Sequence, residues 1–316
     1  MTVVEIIIYI SAGLLMLFTG AEGLIRGSSS LALRVGITPL VVGLIVVAFG
    51  TSSPELVVSL KAAIEGNGDI SLGNVIGSNI ANIALVLGVA ALIRPLKVNA
   101  VVIRREIPIM IFISLIFVIF LINREISRIE GIIFFAGIII YSIVSVLLAR
   151  KEKSKEIEDE YSEGVAKKPL KIWQAIPFII IGLAFLIYGA NLFLEGSLEI
   201  AKRIGMSQAV IGLTIVAIGT SLPELVTSAV ASIKKETDIA IGNVVGSNVF
   251  NILLILGVTA MIIPISAAEI TMTDIVVMMF TAVIILPMTW TKFELNRLEG
   301  ALLLTGYIIY IYYLLP

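Results

Sequence analysis

Two stretches of this 316-residue chain are copies of each other. Residues 43–96 read GLIVVAFGTSSPELVVSLKAAIEGNGDISLGNVIGSNIANIALVLGVAALIRPL, and residues 212–265 read GLTIVAIGTSLPELVTSAVASIKKETDIAIGNVVGSNVFNILLILGVTAMIIPI. Aligned at a constant offset of 169 residues without a gap, 31 of the 54 positions are identical. The same offset pairs Gly20 with Gly189, outside both stretches. A fixed offset of this kind indicates that a whole structural unit was duplicated.

The composition indicates a membrane protein. Hydrophobic residues make up 59% of the chain and charged residues only 14%, whereas soluble domains carry about 25% charged residues. Mean hydropathy is +1.09. No basic segment precedes the first apolar run, so we expect that run to be a true span and not a signal peptide. The apolar runs predict ten transmembrane helices, at 3–25, 39–62, 70–93, 105–122, 129–149, 172–194, 207–232, 239–263, 271–290 and 298–315.

One polar stretch divides these helices into two groups of five. Residues 151–171 have mixed charge and no apolar periodicity, which predicts an exposed linker between a first repeat at 1–150 and a second at 172–316. Because five is odd, equivalent helices of the two repeats must cross in opposite directions. The sequence therefore predicts an all-α integral membrane protein with ten transmembrane helices in two inverted five-helix repeats. Transporters use this architecture with a substrate site near the midplane.

The basic residues favour one orientation of the helices. With the N-terminus outside, 17 of the 22 Lys and Arg residues fall on the cytoplasmic side, seven of them between Arg150 and Lys171. The other side receives only Lys61, Arg124, Arg128, Lys202 and Arg203. By the positive-inside rule, we expect a multi-pass protein of the cell membrane with both termini extracellular and the linker cytoplasmic.

Each repeat places a proline and a glutamate in the middle of an apolar helix. GTSSPE occupies residues 50–55, and GTSLPE occupies residues 219–224. Proline has no N–H and pushes against the carbonyl four residues earlier. We therefore expect each helix to break here and to free backbone carbonyls near Ala48–Thr51 and Ala217–Thr220. Such backbone is tolerated at membrane depth only where it lines a cavity or is buried in protein.

Glu55 and Glu224 are the strongest functional signal in the sequence. A charged side chain at the middle of a bilayer costs about 2.5–3.5 kcal/mol on insertion scales. Two acids at equivalent positions of inverted repeats would meet near the symmetry axis, where they repel each other unless they are protonated or bridged by cations. Together with neighbouring hydroxyls and carbonyls, they offer the hard oxygen ligands that suit Ca²⁺ and Na⁺.

The next helix of each repeat carries a line of amides and hydroxyls. At four-residue spacing they are Asn74, Ser78 and Asn82, repeated as Asn243, Ser247 and Asn251. Buried amides need partners, and a cation can supply one. We expect four side chains of this helix pair to be ion ligands: Ser78, Ser247, Asn82 and Asn251. We expect the remaining amides to brace the backbone: Asn74, Asn243, Asn79 and Asn248.

Several function classes are disfavoured. The chain has no cysteine and no histidine, which excludes disulfides, thiolate chemistry and imidazole sites. Its net charge of −1 gives no sign of a nucleic-acid partner. No nucleophile–base arrangement stands out, so we expect neither an enzyme nor a cofactor. Channels usually ring a pore with equivalent subunits, whereas one pair of inverted repeats with a midplane acid pair is typical of alternating access.

The paired G-T-S-x-P-E and G-N-x-x-G-S-N-x-x-N segments resemble the α-repeats of the sodium/calcium exchanger family, in the cation/calcium exchanger superfamily. The likeness covers both repeats and is to the compact prokaryotic members, because the linker is too short for a calcium-sensing domain. It implies a central Ca²⁺ site made by Glu55 and Glu224 with the carbonyls of Thr51 and Thr220. It implies surrounding Na⁺ sites that add Ser52, Ser221, Ser78, Ser247 and the carbonyls of Ala48 and Ala217. Asn82 and Asn251 would occupy the central polar position.

The resemblance also implies a mechanism, in which Na⁺ is exchanged for Ca²⁺ as the first and sixth helices slide across the other eight. One position departs from the family pattern, because many members have an aspartate where this chain has Asn251. Two central carboxylates then remain in place of three, which leaves ion selectivity open. A Ca²⁺/H⁺ antiporter using the same glutamates is the alternative. The many hydroxyl and carbonyl ligands favour Na⁺, since a proton needs only the carboxylates. We expect the chain to work as a monomer in the lipid bilayer.

Overall fold

The protein is helical throughout the residues that its structure describes. The structure, a computed structural model, describes residues 1–151, 170–203, 217–266 and 270–314. Nearly all of the predicted linker and the beginning of the predicted helix at 207–232 lie outside these residues. In chain order the described helices are α1 (Val3–Val35), α2 (Pro39–Thr51), α3 (Ser53–Ile64), α4 (Gly68–Ile93), α5 (Val102–Asn123), α6 (Arg128–Lys151), α7 (Ile172–Arg203), α8 (Ala217–Thr220), α9 (Leu222–Ile233), α10 (Thr237–Ile262), α11 (Met272–Trp290) and α12 (Arg297–Leu314).

Many of these helices are suited to a bilayer. Within the described ranges, seven are long and apolar enough to cross one, namely α1, α4, α5, α6, α7, α10 and α11. The bent pair α2 and α3 would make an eighth. The described part of α9 has only 12 residues. Helix α12 is less apolar than the seven helices named above. A membrane protein follows from these helices, while the full count of ten spans stays a prediction.

Helix α1 is ten residues longer than the sequence predicted. It starts at a capping box, in which Thr2 Oγ1 accepts the Glu5 N–H at 3.2 Å and the Glu5 carboxylate accepts the Thr2 N–H at 2.6 Å. The predicted end near residue 25 was wrong, because the polar segment that follows is still packed as helix, with Ser28 and Ala32 fully buried. The helix stops only at Gly36, which adopts the left-handed conformation with φ 68° and does so at little cost because it lacks a Cβ.

The two long helices α1 and α7 pack directly against each other. A Cβ on Gly13 would lie 2.8 Å from the carbonyl oxygen of Gly189, and a Cβ on Gly182 would lie 2.8 Å from that of Gly20. Only glycine permits backbones to approach this closely. Around the contact, buried residues such as Leu24 form a hydrophobic cluster separate from the main core.

Helices α4 and α10 form the centre of the protein. In their most apolar segments 72% and 78% of the residues are buried, against 22% for α1 and 28% for α7. The largest hydrophobic cluster surrounds them and includes residues of α5, α6, α11 and α12. The helices α4 and α10, which carry the repeated asparagines, are therefore enclosed by other helices.

Contacts between the halves occur in exchanged pairs. The short strands β1 (Leu96–Lys97) and β4 (Glu294–Leu295) pair antiparallel, as do β2 (Glu125–Ile126) and β3 (Ile265–Ser266). Leu96 lies opposite Leu295. Ile265, 169 positions after Leu96, lies opposite Ile126, 169 positions before Leu295. The two strand pairs therefore join equivalent positions with the halves exchanged. A two-fold relation between the halves would produce this pattern.

A buried carboxylate ties α5 to α6 in the first half. Glu106 is 1% exposed, forms an ion pair with Arg105 at 2.7 Å and accepts the Tyr141 hydroxyl at 2.9 Å. The equivalent tyrosine of the second half, Tyr310, donates instead to Asp274 at 2.8 Å. That carboxylate is less buried and also accepts two bonds from the Thr271 N–H and hydroxyl.

Tyr141→Phe should therefore destabilise the protein more than Tyr310→Phe. Loss of a hydrogen bond to a buried charged group costs about 1.5–3 kcal/mol, whereas Asp274 keeps its Thr271 donors. Thermal unfolding of the two purified variants in detergent measures the difference. Equal melting temperatures would contradict the assignment of Glu106 and Tyr141 as a structural tie.

Candidate functional site

The two repeated glutamates lie in the interior, at the start of the second part of a broken helix. The backbone of Ser52 is not helical, with ψ 5°, and α2 and α3 meet at this residue at a bend of 44°. Pro54 causes this break because it cannot donate an N–H to the preceding turn. The break predicted from GTSSPE is confirmed. It puts Glu55 in the first turn of α3, and Ser221, with ψ 6°, likewise precedes α9.

Glu55 and Glu224 are both buried, and a side chain beside Glu55 connects the two segments. Each glutamate is 1% exposed, and Ser52, three residues before Glu55, contacts the Glu224 carboxylate at 3.1 Å. Neither carboxylate pairs with a basic residue among the parts of the chain that the structure describes. Two carboxylates held together in this way require a proton or a cation between them.

Hydroxyl donors reach the two glutamates unequally. Ser52 Oγ donates to Glu224 Oε1 at 3.1 Å, and Ser247 Oγ lies 3.5 Å from the same oxygen. The equivalent hydroxyl, Ser221 Oγ, is buried and has no described hydrogen-bond partner. The residues are the same in both repeats, so the inequality belongs to the conformation and not to the sequence.

Asparagines brace the backbone behind each glutamate. Asn74 Nδ2 donates to the Glu55 carbonyl at 3.2 Å and to Ser59 Oγ at 2.8 Å. Asn243 Nδ2 donates to Ser228 Oγ at 3.0 Å and lies 3.5 Å from the Glu224 carbonyl. The prediction that Asn74 and Asn243 brace the backbone is confirmed.

Thr51 connects the broken helix of the first half to the second half. Its hydroxyl lies 3.1 Å from Asn243 Oδ1 and 3.1 Å from the Val47 carbonyl. The Ala48 carbonyl accepts the Ser52 N–H at 3.0 Å. The expectation that this carbonyl leaves the helix ladder was therefore wrong, and the Thr51 hydroxyl also lies 3.4 Å from it.

Four amides form two bridges between the repeats. Asn82 Nδ2 donates to Asn248 Oδ1 at 3.2 Å, and Asn251 Nδ2 donates to Asn79 Oδ1 at 3.0 Å. The prediction that Asn79 and Asn248 brace the backbone was wrong, because they bind side chains of the opposite repeat. The spacing of the motif does not reveal this, since the partners come from α4 and α10 in different halves.

The helices widen where these asparagines lie. A π-helical segment starts at Asn82 and ends at Leu87, and another starts at Asn251 and ends at Leu256. Such wide turns are rare and occur frequently at functional sites. The sequence reasoning missed them, because nothing in the hydrophobic pattern distinguishes a π-helical turn from an α-helical one.

Several oxygen atoms in this interior lack partners. Among the described residues, no hydrogen bond reaches Glu55 Oε2, Glu224 Oε2, Asn82 Oδ1 or Asn251 Oδ1. Buried polar atoms are nearly always satisfied, and a bound cation would satisfy these four oxygens, whereas Asn79 Nδ2, which also has no described partner, is a donor. Carboxylate and amide oxygens are the ligands preferred by Ca²⁺ and other hard cations.

The remaining predicted residues have different positions. Ser78 is buried, with 5% of its surface exposed, and Thr220 is half-buried at the end of α8. Ala217 begins the same helix. The sequence analysis did not single out Met110, whose Sδ atom lies 3.5 Å from Asn248 Nδ2.

Most of the chain matches a known family. A family model described as sodium/calcium exchanger protein matches residues 5–147 and 174–315. The chain belongs to the sodium/calcium exchanger family. The resemblance seen in the repeated motifs is thereby confirmed, and this exchanger-family chain is a membrane protein and an antiporter.

Relatives of this exchanger-family chain extend over nearly its full length. The putative antiporter CaxA of Alkalimonas amylolytica is 39% identical over 312 residues, which cover 97% of this chain and 98% of CaxA. The sodium/calcium exchanger MaX1 of Methanosarcina acetivorans is 33% identical over 333 residues, covering 95% of each chain. The structure of the sodium-calcium exchanger NCX_Mj soaked with 10 mM Na⁺ and zero Ca²⁺ superposes with a TM-score of 0.84 at 30% identity, covering 98% of this chain and 99% of that one.

Proposed function

We propose that this antiporter exchanges Na⁺ for Ca²⁺ at one central site formed by Glu55 and Glu224. The observation that carries the proposal is the pair of buried carboxylates whose Oε2 atoms, like the amide oxygens of Asn82 and Asn251, have no described partner. The names of MaX1 and NCX_Mj as sodium/calcium exchangers support the choice of ions.

Charge balance explains why the two ions would compete. Two carboxylates neutralise one Ca²⁺, and they can also hold two or three Na⁺ among the same oxygens. The empty pair would be costly to enclose, because an uncompensated buried charge is strongly unfavourable. The site therefore changes its access from one side of the membrane to the other only when it holds Ca²⁺ or Na⁺. This restriction couples the flux of Ca²⁺ to that of Na⁺.

The further ligands proposed for these ions come from the broken helices and from α4 and α10. Ser52 and Ser247 contact Glu224, while Ser78 and Ser221 are buried. We include these four hydroxyls in the site. The carbonyls proposed for the site are those of Thr51, Thr220, Ala48 and Ala217.

The transporter is proposed to have ten spans in two inverted repeats, with both termini outside and the linker in the cytoplasm, and to work as a monomer. The exchanged strand pairs and the two amide bridges support this arrangement, because wherever residue i of the first half contacts residue j of the second, residue i + 169 contacts residue j − 169. The distribution of basic residues supports the orientation.

Ca²⁺ uptake into proteoliposomes tests the proposal. Vesicles holding purified protein are loaded with Na⁺ or with a Na⁺-free buffer at equal pH on both sides, and ⁴⁵Ca²⁺ is added outside. We expect uptake that requires internal Na⁺ and disappears when the Na⁺ gradient is dissipated. Uptake that ignores Na⁺ but follows an imposed pH gradient would assign the protein as a Ca²⁺/H⁺ antiporter.

A further inference from the structure

The amide bridges have a direction that bears on the site. In each bridge the NH₂ group belongs to the proposed ligand, Asn82 or Asn251, and the accepting oxygen belongs to Asn248 or Asn79. An asparagine side chain has a donor end and an acceptor end. With its NH₂ group engaged across the repeat, the oxygen of Asn82 or Asn251 is the end left without a described partner.

We propose that Asn79 and Asn248 are positioning residues, which fix the amides of Asn251 and Asn82 so that oxygen and not NH₂ faces the transported cation. The inference rests on the proposed function, because it requires a cation at Glu55. It assigns Asn79 and Asn248 a role in ion affinity although neither touches the ion.

In the bridge between Asn82 and Asn248 the opposite amide orientation is disfavoured twice. Turning the Asn82 amide by half a turn would set its oxygen against Asn248 Oδ1, which stays in place because Asn248 Nδ2 contacts Met110 Sδ. It would also direct NH₂ hydrogens at the cation. Both contacts are repulsive, and the bridge therefore selects the orientation that can bind an ion.

In one bridge the positioning residue is itself oriented. Asn248 Nδ2 lies 3.5 Å from Met110 Sδ, a weak acceptor on α5 that is 1% exposed. This contact turns Asn248 Oδ1 toward Asn82. A chain of three side chains thus runs from α5 through α10 to α4 and ends at an oxygen of the site.

The two bridges serve a purpose that differs from that of the other asparagines. The NH₂ groups of Asn74 and Asn243 hold backbone carbonyls within their own repeat, whereas the oxygens of Asn79 and Asn248 hold amides of the opposite repeat. Each proposed amide ligand is consequently oriented by the half to which it does not belong.

A double-mutant cycle tests the inference on purified full-length protein. Ca²⁺ affinity is measured by calorimetric titration with CaCl₂ for wild type, Asn79→Leu, Asn251→Leu and the double variant, and thermal unfolding is recorded for each. We expect Asn79→Leu to weaken Ca²⁺ binding about 3- to 10-fold, the range of one neutral hydrogen bond. In the Asn251→Leu background the same change should weaken binding no further, because Asn79 acts through Asn251.

The outcomes separate this inference from the proposed function. An unchanged affinity in Asn79→Leu, or an equal loss in both backgrounds, overturns the positioning role while Ca²⁺ binding itself stands. A lower melting temperature with unchanged affinity indicates a structural role only and also overturns it. Wild-type protein that binds no Ca²⁺, or binds it equally well after Glu55→Gln, overturns both proposals. The cycle of Asn248→Leu with Asn82→Leu repeats the test in the other bridge if Asn79→Leu does not fold.

Discussion

Replacing Glu55 or Glu224 by glutamine is expected to abolish Na⁺-dependent Ca²⁺ uptake, with the initial rate falling at least about 100-fold, equivalent to about 2.7 kcal/mol. Glutamine keeps the size of the side chain but removes one of the two charges that balance Ca²⁺. A unit charge a few ångströms away contributes several kcal/mol in a partly buried site, so the remaining carboxylate cannot hold the divalent ion at working concentrations. Proteoliposome uptake of ⁴⁵Ca²⁺ measures the loss.

A second pair of repeated glutamates provides the matched control. Glu130 caps the start of α6 by accepting the Ser127 N–H at 2.7 Å, and Glu299 accepts the Asn296 N–H at 2.8 Å ahead of α12. Their replacement by glutamine should leave uptake within about twofold of wild type, as for most substitutions away from a buried site. Near-normal exchange by both Glu55→Gln and Glu224→Gln would exclude the proposed site.

Gly246→Ala is expected to have the second-largest effect. A Cβ at this position would lie 2.3 Å from the Leu44 carbonyl oxygen and 2.8 Å from its carbonyl carbon. Because the obstacle is backbone, α10 must move away from α2 by about 1 Å, and overpacking of this kind costs about 1–3 kcal/mol. The move carries Ser247 and Asn243 with it, so exchange should fall at least about tenfold, since misplacement by 1 Å can cost up to 100-fold.

Gly306→Ala is the control for a glycine lost from a membrane helix. No described atom lies within 4 Å of a Cβ built there, and alanine favours helix, so stability and uptake should be unchanged or slightly higher. Thermal unfolding and ⁴⁵Ca²⁺ uptake are measured on both variants. Equal behaviour of Gly246→Ala and Gly306→Ala would show that the approach of α10 to α2 is not needed.

Much of this organisation could be predicted from the chain alone. The offset of 169 residues predicts which residues have equivalent surroundings, and the amide bridges and strand pairs respect it. The helix break at Ser52 follows from the chemistry of Pro54. The burial of Glu55 could be predicted because this residue lies within an apolar segment long enough to span a membrane.

Other features depend on contacts that no local pattern records. The end of α1 was predicted too early because polar residues follow residue 25 and interrupt the apolar run. The helix nevertheless continues to Val35, where it packs against other parts of the protein. The partners of Asn79 and Asn248 come from the other repeat, about 170 residues away. The unequal donors to Glu55 and Glu224 cannot be read from sequence at all, since Ser52 and Ser221 occupy equivalent positions of nearly identical motifs.

The exchanged contacts between the halves have a consequence for how such a gene arose. One five-helix half contains one of the two glutamates and an amide whose orienting partner lies in the other half. On the proposed inverted arrangement, a single-length ancestor would have built a complete site by pairing with a second copy of itself inserted in the opposite direction. Fusion of two gene copies then ties each orientation to one copy and allows the copies to diverge, as Glu22 and Asn191 have done at equivalent positions.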